Sequence, residues 1–216
     1  MDKKTNYFDK AAKTWDEKPA RVELARAVAS AIRENVDLSP DFSCMEYGCG
    51  TGIISISLAP YVKRIVAVDT SRQMLKVLEE KLAMQPEPHN ISTYQMDLTD
   101  SKLDSAPFLK ELDLIFSSMT LHHIGPVKEL LQRFYQLLRP GGWLAIADLD
   151  KEDGDFHGKD VPGVAHFGFE REELRKLLSD IGFKEIKILT AHKMKKTTEA
   201  GVTKVFPVFL ATGRKN

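Results

Sequence analysis

The sequence predicts an α/β fold in which a largely parallel sheet is doubly wound, with helices on both of its faces. Short apolar segments rich in β-branched residues alternate with segments of helical spacing along most of the 216 residues, and this order is typical of such sheets. Two of the predicted strands also lead directly into a glycine loop or end in an acidic residue. Ligands of this fold bind beyond the carboxyl ends of the strands, so those residues are the candidates for a site.

The first quarter of the chain supplies elements with clear ends. Pro19 suits the first turn of a helix that reaches about Asn35, and the apolar residues of that helix form one stripe. A buried strand at 44–47 then runs into a glycine-rich loop. A helix over 53–59 follows and is closed by Pro60.

The second strand is the clearest in the sequence. Residues 64–69 read RIVAVD, which is β-branched, apolar and terminated by Asp69. Ser71 can cap the next helix, because its hydroxyl can accept a hydrogen bond from a first-turn amide. A weaker strand at 91–95 then precedes Asp97.

The second half of the chain continues the alternation of strands and helices. Its predicted elements are a strand at 112–117, a helix at 127–138, a strand at 143–147, a helix at 170–180 and strands at 184–189 and 205–211. The sequence RPGG at 139–142 stops the first of these helices, since proline and glycine cannot continue it.

The composition excludes several classes of function. Lysine plus arginine and aspartate plus glutamate both total 31, so the net charge of zero gives no footprint for nucleic acid or an anionic membrane. Two cysteines are too few for a disulfide scaffold and favour a reducing compartment. No apolar run reaches the roughly 18 residues of a membrane span, and the amino terminus lacks the apolar core of a signal peptide. We expect a single cytoplasmic domain over 1–216.

The loop after the first strand, EYGCGTG at 46–52, leaves two enzyme classes open. Glycines there let the backbone turn tightly and approach a ligand without obstruction by Cβ atoms. Asp69 is placed to accept hydrogen bonds from the hydroxyls of an adenosine ribose, as an acid does in NAD sites. Both a nucleotide-dependent oxidoreductase and a methyltransferase would use these features.

Two residues favour the methyltransferase. The third glycine of the dinucleotide fingerprint would fall at position 53, which is Ile53. The carboxylate of Glu46 would meet like charge near a pyrophosphate, whereas the ammonium group of S-adenosylmethionine would attract it.

The chain resembles the class I S-adenosylmethionine-dependent methyltransferases, in particular the small enzymes of the ubiquinone/menaquinone type. The segments that carry the resemblance are MEYGCGTG, VAVD, MDL, LDLIFSSMTLHHI at 112–124 and LLRPGGWLAIAD at 137–148. Their order and spacing are more specific than any one of them. The resemblance implies a Rossmann-like sheet of seven strands, mostly parallel with an antiparallel last strand. It also implies S-adenosylmethionine as cofactor and S-adenosylhomocysteine as product.

The resemblance also implies roles for particular residues. Glu46, Gly48 and Gly50 would line the methionine end of the cofactor, Asp69 would hold the ribose, Asp97 would accept from the adenine amino group, and Ser117 would lie beside the sulfonium. Two of these acids have simpler alternatives, since Asp69 could cap a helix and Asp97 could be an ordinary turn residue.

His122 and His123 follow the fourth predicted strand and are the candidate catalytic residues. A histidine near the methyl group could remove a proton from the acceptor, although the pair could also serve packing alone. Side chains of adjacent residues are expected to diverge, and Ser117 and Ser118 stand where metal-dependent enzymes of the catechol type carry an acid. No metal site is therefore expected.

Two segments are expected to cover the site. Residues 1–35 resemble a helical lid with Tyr7, Phe8 and Trp15, and the long connection at 149–169 is rich in aromatic residues. The predicted acceptor is a small, partly apolar metabolite rather than nucleic acid. Its identity, the methylated atom and the oligomeric state are left open, and a non-catalytic S-adenosylmethionine-binding module remains an alternative.

Overall fold

The computed structural model describes residues 3–85, 89–100, 111–158 and 161–216, and within these ranges the strands form one seven-stranded sheet. The strands are β1 Ser43–Tyr47, β2 Arg64–Asp69, β3 Ile91–Gln95, β4 Leu112–Ser118, β5 Leu138–Leu149, β6 Phe183–Thr197 and β7 Thr203–Lys215. The helices are α1 Lys3–Ala11, α2 Pro19–Asn35, α3 Ile53–Leu58, α4 Arg72–Ala83, α5 Val127–Leu137 and α6 Arg171–Ile181. Short 3₁₀ turns lie at Ala12–Glu17, Ala59–Tyr61 and Leu121–His123.

The strand order is β3-β2-β1-β4-β5-β7-β6. Strands β1 to β5 pair in parallel, and β7 pairs antiparallel with both β5 and β6. The predicted fold, a mostly parallel sheet of seven strands with an antiparallel last strand, is therefore confirmed. Because the order reverses at β1 and β4, the crevice between their carboxyl ends is where this type of sheet binds ligands.

The core has two layers because adjacent residues of a strand point to opposite faces of the sheet. Cys44 packs with the layer that includes α2, α3 and α4, whereas the neighbouring Met45 packs with α5 and α6. Full burial of a side chain such as Leu78 or Phe134 contributes about 1.5–3 kcal/mol to stability. The two layers hold the strand ends, and the residues that follow them, in fixed positions.

Several predicted ends are confirmed, but the predicted start of the fifth strand is wrong. Helix α2 begins at Pro19, and the Ser71 hydroxyl accepts from the Met74 amide, 3.2 Å away, at the start of α4. Strand β5 begins at Leu138 rather than at residue 143, because Leu138 already pairs with Leu112 of β4. The turn-forming sequence that follows it is accommodated by an irregular register between the two strands.

The last two strands are much longer than predicted. Strand β7 pairs with β5 over Val208–Arg214, and its earlier residues pair only with β6. The free part of this hairpin consequently projects past the carboxyl end of β5, on the side of the sheet where the candidate site lies. In the described part of the chain, no helix combines the length and the apolar character needed to cross a membrane.

Candidate functional site

A cavity of about 540 Å³ opens at the carboxyl edge of the sheet, within the usual size range of ligand sites. It is bordered by the residues after β1 to β4, by α1 and the start of α2, by part of the loop after β5, and by β6. Seven of the eight predicted site residues line it, namely Glu46, Gly48, Gly50, Asp69, Asp97, His122 and His123. A separate polar cleft lies at the amino ends of β1 and β4, where sheets of this type do not bind ligands.

The glycine loop is closely packed at one position and open at another. Gly48 has a φ of +72°, and a Cβ atom there would overlap the side chain of Thr120. Gly50 has a φ of +53° with open space where its Cβ would be, and its amide donates to Asp69 across 2.8 Å. The absence of a side chain at Gly48 thus allows the segment after β4 to approach closely. The absence of one at Gly50 leaves the cavity unobstructed.

Glu46 is buried at the end of β1 with only 2% of its surface exposed. Its Oε2 accepts from the Ser55 amide at 3.0 Å and from the Ser55 hydroxyl. Burial raises the pKa of Glu46 to about 8; the bonds from Ser55 oppose the rise and the negative charge of Asp69 adds to it. The carboxyl group is therefore mostly neutral at pH 7, and a cation bound beside it would draw it into the charged form.

Asp69 connects the glycine loop to the start of α4. One carboxylate oxygen accepts from the Gly50 amide and the other from the Ser71 amide, each at 2.8 Å. The bond from the Ser71 amide agrees in part with the alternative that Asp69 caps α4. The side chain that accepts from an amide within α4, however, is that of Ser71. These bonds hold the carboxylate in one orientation at the cavity wall.

Asp97 forms the turn that its alternative role predicted, and it also lines the cavity. Its Oδ1 accepts from the amide and the hydroxyl of Thr99, at 2.9 and 2.7 Å, and from the Tyr47 hydroxyl at 3.4 Å. Burial raises the pKa of Tyr47, so its hydroxyl stays protonated and donates. Tyr47 is not among the residues predicted for the site, and only its place between Glu46 and Gly48 could have indicated it.

The structure does not place Ser117 on the cavity wall. Its hydroxyl is buried and donates to the Tyr47 carbonyl, 2.7 Å away. Ser118, Met119 and Thr120 border the cavity instead. The predicted segment thus borders the cavity through the residues after Ser117, because successive side chains of a strand alternate between its faces, and the place of Ser117 beside the sulfonium stays a prediction.

His122, which lines the cavity, is paired with a buried carboxylate on its other side. Its Nδ1 lies 2.6 Å from Oδ1 of Asp148, and its amide donates to Oδ2 of the same residue at 3.2 Å. Burial opposes ionisation of Asp148, but its electrostatic interaction and hydrogen bond with the His122 ring, together with hydrogen bonds from backbone amides, outweigh it and hold the pKa of Asp148 below its usual value. The anionic carboxylate fixes the orientation of the His122 ring.

Two further imidazoles meet His122 in the cavity. Nε2 of His157 lies 3.0 Å from Nε2 of His122, and the His123 ring centroid lies 4.2 Å from that of His122. Burial lowers the pKa of His157 to about 4, with the charges of His122 and Lys196 adding to the effect. The expectation that the adjacent rings diverge is wrong, because the tight 3₁₀ turn brings both of them to one side.

Residues of the amino-terminal segment line the cavity, among them Tyr7, Phe8 and Trp15. Phe8 packs against His123 with ring centroids 5.4 Å apart, and Arg21 lies 3.5 Å from the Trp15 ring. Asp9 accepts from Ser71, and Asp16 accepts from Thr51, at 2.5 and 2.6 Å. Within the predicted lid 1–35, of which residues 1 and 2 lie outside the described ranges, α2 packs largely into the core.

Residues of the connection at 149–169 and of the β6–β7 hairpin line the opposite side of the cavity. Phe156, His157 and Val161 border the cavity, while residues 159 and 160 lie outside the described ranges. The Lys196 ammonium donates to the Phe156 carbonyl and so ties the loop to β6. The contribution of β6, which includes Met194, was not predicted, because its lysine-rich sequence resembles a solvated surface.

Comparison with known proteins identifies the family. Residues 12–188 match the family described as a methyltransferase domain. An uncharacterized methyltransferase of Schizosaccharomyces pombe is 39% identical over 136 residues, which is 58% of this chain and 47% of that protein. Malonyl-[acyl-carrier protein] O-methyltransferase 2 of Ilyobacter polytropus is 29% identical over 157 residues, covering 70% of this chain and 56% of that protein. The chain thus spans about half the length of the curated relatives it matches.

The fold is also similar to the folds of solved methyltransferase structures. N-methyltransferase NodS from Bradyrhizobium japonicum WM9, determined in complex with S-adenosyl-L-homocysteine, superposes with a TM-score of 0.69 over 99% of both chains at 16% identity. The resemblance found in the sequence is therefore confirmed. Since the family match covers most of its length, this chain belongs to the methyltransferase-domain family, within the class I enzymes that use S-adenosylmethionine.

Proposed function

We propose that this chain transfers the methyl group of S-adenosylmethionine to an oxygen atom of a small, negatively charged acceptor. The observation that carries the proposal is the division of charge within one cavity. Acidic side chains at or just after the ends of β1, β2 and β3 lie at one end of the cavity, and the cationic Lys18, Arg21 and Lys196 lie at the other. The imidazole cluster, which consists of His122, His123 and His157, lies beyond β4 between these two halves.

The acidic half suits the methyl donor. In this proposal Glu46 faces the ammonium group, Asp69 accepts from the ribose hydroxyls, and Asp97 accepts from the adenine amino group. Each carboxyl group is already oriented by donors from the protein, so little ordering is left for the ligand to impose. The glycine loop at 48–52 leaves room for the methionine part to approach the backbone.

This placement puts the sulfonium near the end of β4. Thr120 touches the glycine loop at Gly48 and borders the cavity, as do Ser118 and Met119. The methyl group then points toward the imidazole cluster, because the acidic half is occupied by the rest of the cofactor. The acceptor enters from the cationic side.

The cationic half suits an anionic acceptor. Burial lowers the pKa of Arg21 and of Lys196, and for Lys196 the neighbouring charges of Arg21 and Lys18 lower it further. Like charges held together out of water repel one another, so a bound anion is favoured there. The Ilyobacter relative, by its name, methylates oxygen on a malonyl group, which supports oxygen as the methylated atom.

The chemistry requires alignment more than activation. Methyl transfer is an in-line displacement, and holding the acceptor oxygen against the methyl group supplies most of the acceleration. If the oxygen carries a proton, the imidazole cluster can receive it, and the anionic Asp148 stabilises the resulting charge on His122. The two covers keep water out of the reacting space.

The test is a panel of paired acceptors with S-adenosylhomocysteine release as the measurement. Each pair has an anionic compound bearing a carboxylate or phenolate and its neutral ester or amide. We expect turnover on the anionic members, with the methyl group found on oxygen by mass spectrometry. Lys196→Met should raise the KM of such an acceptor by about tenfold or more, because a bond to a charged group contributes roughly 1.5–3 kcal/mol.

Lys193→Met is the matched control, since Lys193 is exposed on the same strand and does not line the cavity. It should leave the KM unchanged, and both variants should bind S-adenosylhomocysteine as the wild type does. Preference for the neutral members, or a product methylated on nitrogen, would show that the proposed acceptor class is wrong.

A further inference from the structure

The three histidines of the imidazole cluster come from two segments far apart in the sequence. His122 and His123 form the turn after β4, and His157 lies in the loop after β5. One ring nitrogen from each lies within 4.8 Å of the other two. The ring centroids of His157 lie 4.9 and 5.3 Å from those of His122 and His123.

Two of the rings are oriented from outside the cluster. Nδ1 of His122 faces the Asp148 carboxylate at 2.6 Å, and Nδ1 of His123 faces the Gly163 carbonyl at 3.0 Å. Both acceptors require a proton on Nδ1, and in a neutral ring Nε2 then carries the lone pair that a metal ion would use. Histidines that bind metals are held in this way, by a carboxylate or a backbone carbonyl on the other ring nitrogen.

We propose that His122, His123 and His157 bind one divalent transition-metal ion, with Zn²⁺ and Co²⁺ as the fitting members of the class. Three imidazole ligands with a fourth position open form a known type of catalytic zinc site, and imidazole suits these metals. A tetrahedral ion with Zn–N bonds of 2.0–2.1 Å separates its ligand nitrogens by about 3.4 Å. The 3.0 Å between Nε2 of His122 and Nε2 of His157 is close to this value, so modest ring rotations complete the geometry.

The surrounding charges allow a cation at this point. Asp148, fully buried behind His122, supplies a negative charge. The positive charge of Lys196 acts on His157 in the opposite sense, but its ammonium donates to the Phe156 carbonyl. Without a metal, the close contact of His122 and His157 is a hydrogen bond between two imidazoles, and this is the arrangement that a test must distinguish from metal binding.

The open coordination position would face the acceptor. An ion there would polarise the acceptor oxygen beside the sulfonium and lower the pKa of its hydroxyl, so that the proton leaves to solvent rather than to an imidazole whose lone pair binds the ion. This role rests on the proposed methylation of oxygen, whereas the metal site itself does not. The two proposals can therefore fail separately.

The test uses the purified chain, stripped with EDTA, dialysed and titrated with CoCl₂. We expect about one Co²⁺ per chain by elemental analysis, a visible ligand-field absorption typical of nitrogen ligands, and displacement by Zn²⁺. His157→Gln and His123→Ala should each weaken Co²⁺ binding by tenfold or more, as ligand losses do. Asp148→Asn should weaken it by about 10–100-fold, which is typical when the partner of a ligand is removed.

His192→Ala is the control, because His192 lies on β6 outside the cluster and does not line the cavity. It should bind Co²⁺ as the wild type does. Circular dichroism checks the fold of each variant, and calorimetry with S-adenosylhomocysteine on the stripped protein reports on the donor site separately. If the wild type shows no visible absorption, or binds Co²⁺ no better than His157→Gln, the metal site is wrong and the imidazoles form a hydrogen-bonded group.

Discussion

The carboxyl groups of Glu46 and Asp69 have different hydrogen-bond partners, although both residues lie at the ends of neighbouring strands. Asp69 accepts one backbone amide on each oxygen, whereas both bonds to Glu46 come from Ser55 and reach a single oxygen. Burial therefore dominates at Glu46 and raises its pKa to about 8. The charge state of Glu46 consequently depends on what occupies the cavity.

The first prediction concerns the pH dependence of donor binding. Below pH 8 the free chain carries a protonated Glu46, and binding the cationic amino group of S-adenosylmethionine requires that proton to leave. Affinity should rise with pH between 6 and 7.5, by up to about tenfold per unit, and calorimetry in buffers of different ionisation enthalpy should detect proton release. Glu46→Gln should bind more weakly and without this pH dependence; an equally pH-dependent variant would contradict the assignment.

The carboxyl group of Glu46 also affects the stability of the free chain. Its raised pKa decides whether that stability rises or falls with pH. The stabilisation from a protonated, buried Glu46 is complete below its ordinary pKa of 4.5 and is lost as pH rises through about 8. The unliganded protein should lose stability over this range, and Glu46→Gln should lose less of it. Thermal denaturation of both proteins across the pH series measures the difference.

Single residues also show where inference from sequence reaches its limit. Glu46, Asp69 and Asp97 could be proposed from the sequence because each lies at or just after the end of a predicted strand, and all three line the cavity. Ser117 does not line the cavity whereas Ser118 does, since a shift of one position along a strand reverses the face. The approach of His157 to His122 could not be predicted, since it depends on the path of a loop for which no local pattern exists.

At the scale of elements, the amino-terminal cover is attached to the donor site through side chains. Asp9 bonds to Ser71 at the start of α4, and Asp16 bonds to Thr51 in the glycine loop and forms an ion pair with Lys81. Trp15 stacks on Arg21, which belongs to the cationic half of the cavity. The cover therefore contacts both the donor and the acceptor parts of the site.

Removal of one cover side chain should thus affect transfer more than donor binding. We expect Trp15→Ala to lower kcat/KM for the acceptor by about tenfold or more, because a small misplacement of the reactants is costly, with a smaller change in S-adenosylhomocysteine affinity. Tyr61→Ala is the matched control, since Tyr61 also stacks on an arginine, Arg33, but lies outside the cavity. Turnover at the wild-type rate in Trp15→Ala would show that the acceptor lies elsewhere.

Elements differ in how well the sequence predicts them. Strand β2 agreed with both of its predicted ends and helix α4 with its predicted start after Ser71, because burial imposes a period of two or 3.6 that the sequence displays. The outer part of the β6–β7 hairpin pairs only within itself and carries lysines on a half-exposed surface. Met194 and Phe206 are buried there among mostly exposed residues, which is too few for a recognisable pattern, so residues 190–204 were not predicted as strand although β6 borders the cavity.

For the whole molecule, the sheet order decides which residues meet. The order β3-β2-β1-β4 places three acids side by side, and β6 at the opposite edge brings lysines to the far end of the same cavity. The family and the sheet could be inferred from motifs in sequence order. The division of the cavity into an acidic and a cationic half could not, since it depends on a hairpin whose length the sequence did not reveal.

Calorimetric titration of the purified chain with S-adenosylhomocysteine and, separately, with NAD tests most directly the claim that the acidic half is a site for S-adenosylmethionine. We predict saturable binding of S-adenosylhomocysteine and none of NAD, because Glu46 favours an ammonium group over a pyrophosphate. Asp69→Ala should weaken that binding by more than about tenfold, from the loss of bonds between its carboxylate and the ribose. Tight binding of NAD without binding of S-adenosylhomocysteine would contradict the account, and unchanged affinity in a folded Asp69→Ala protein would remove that residue from the site.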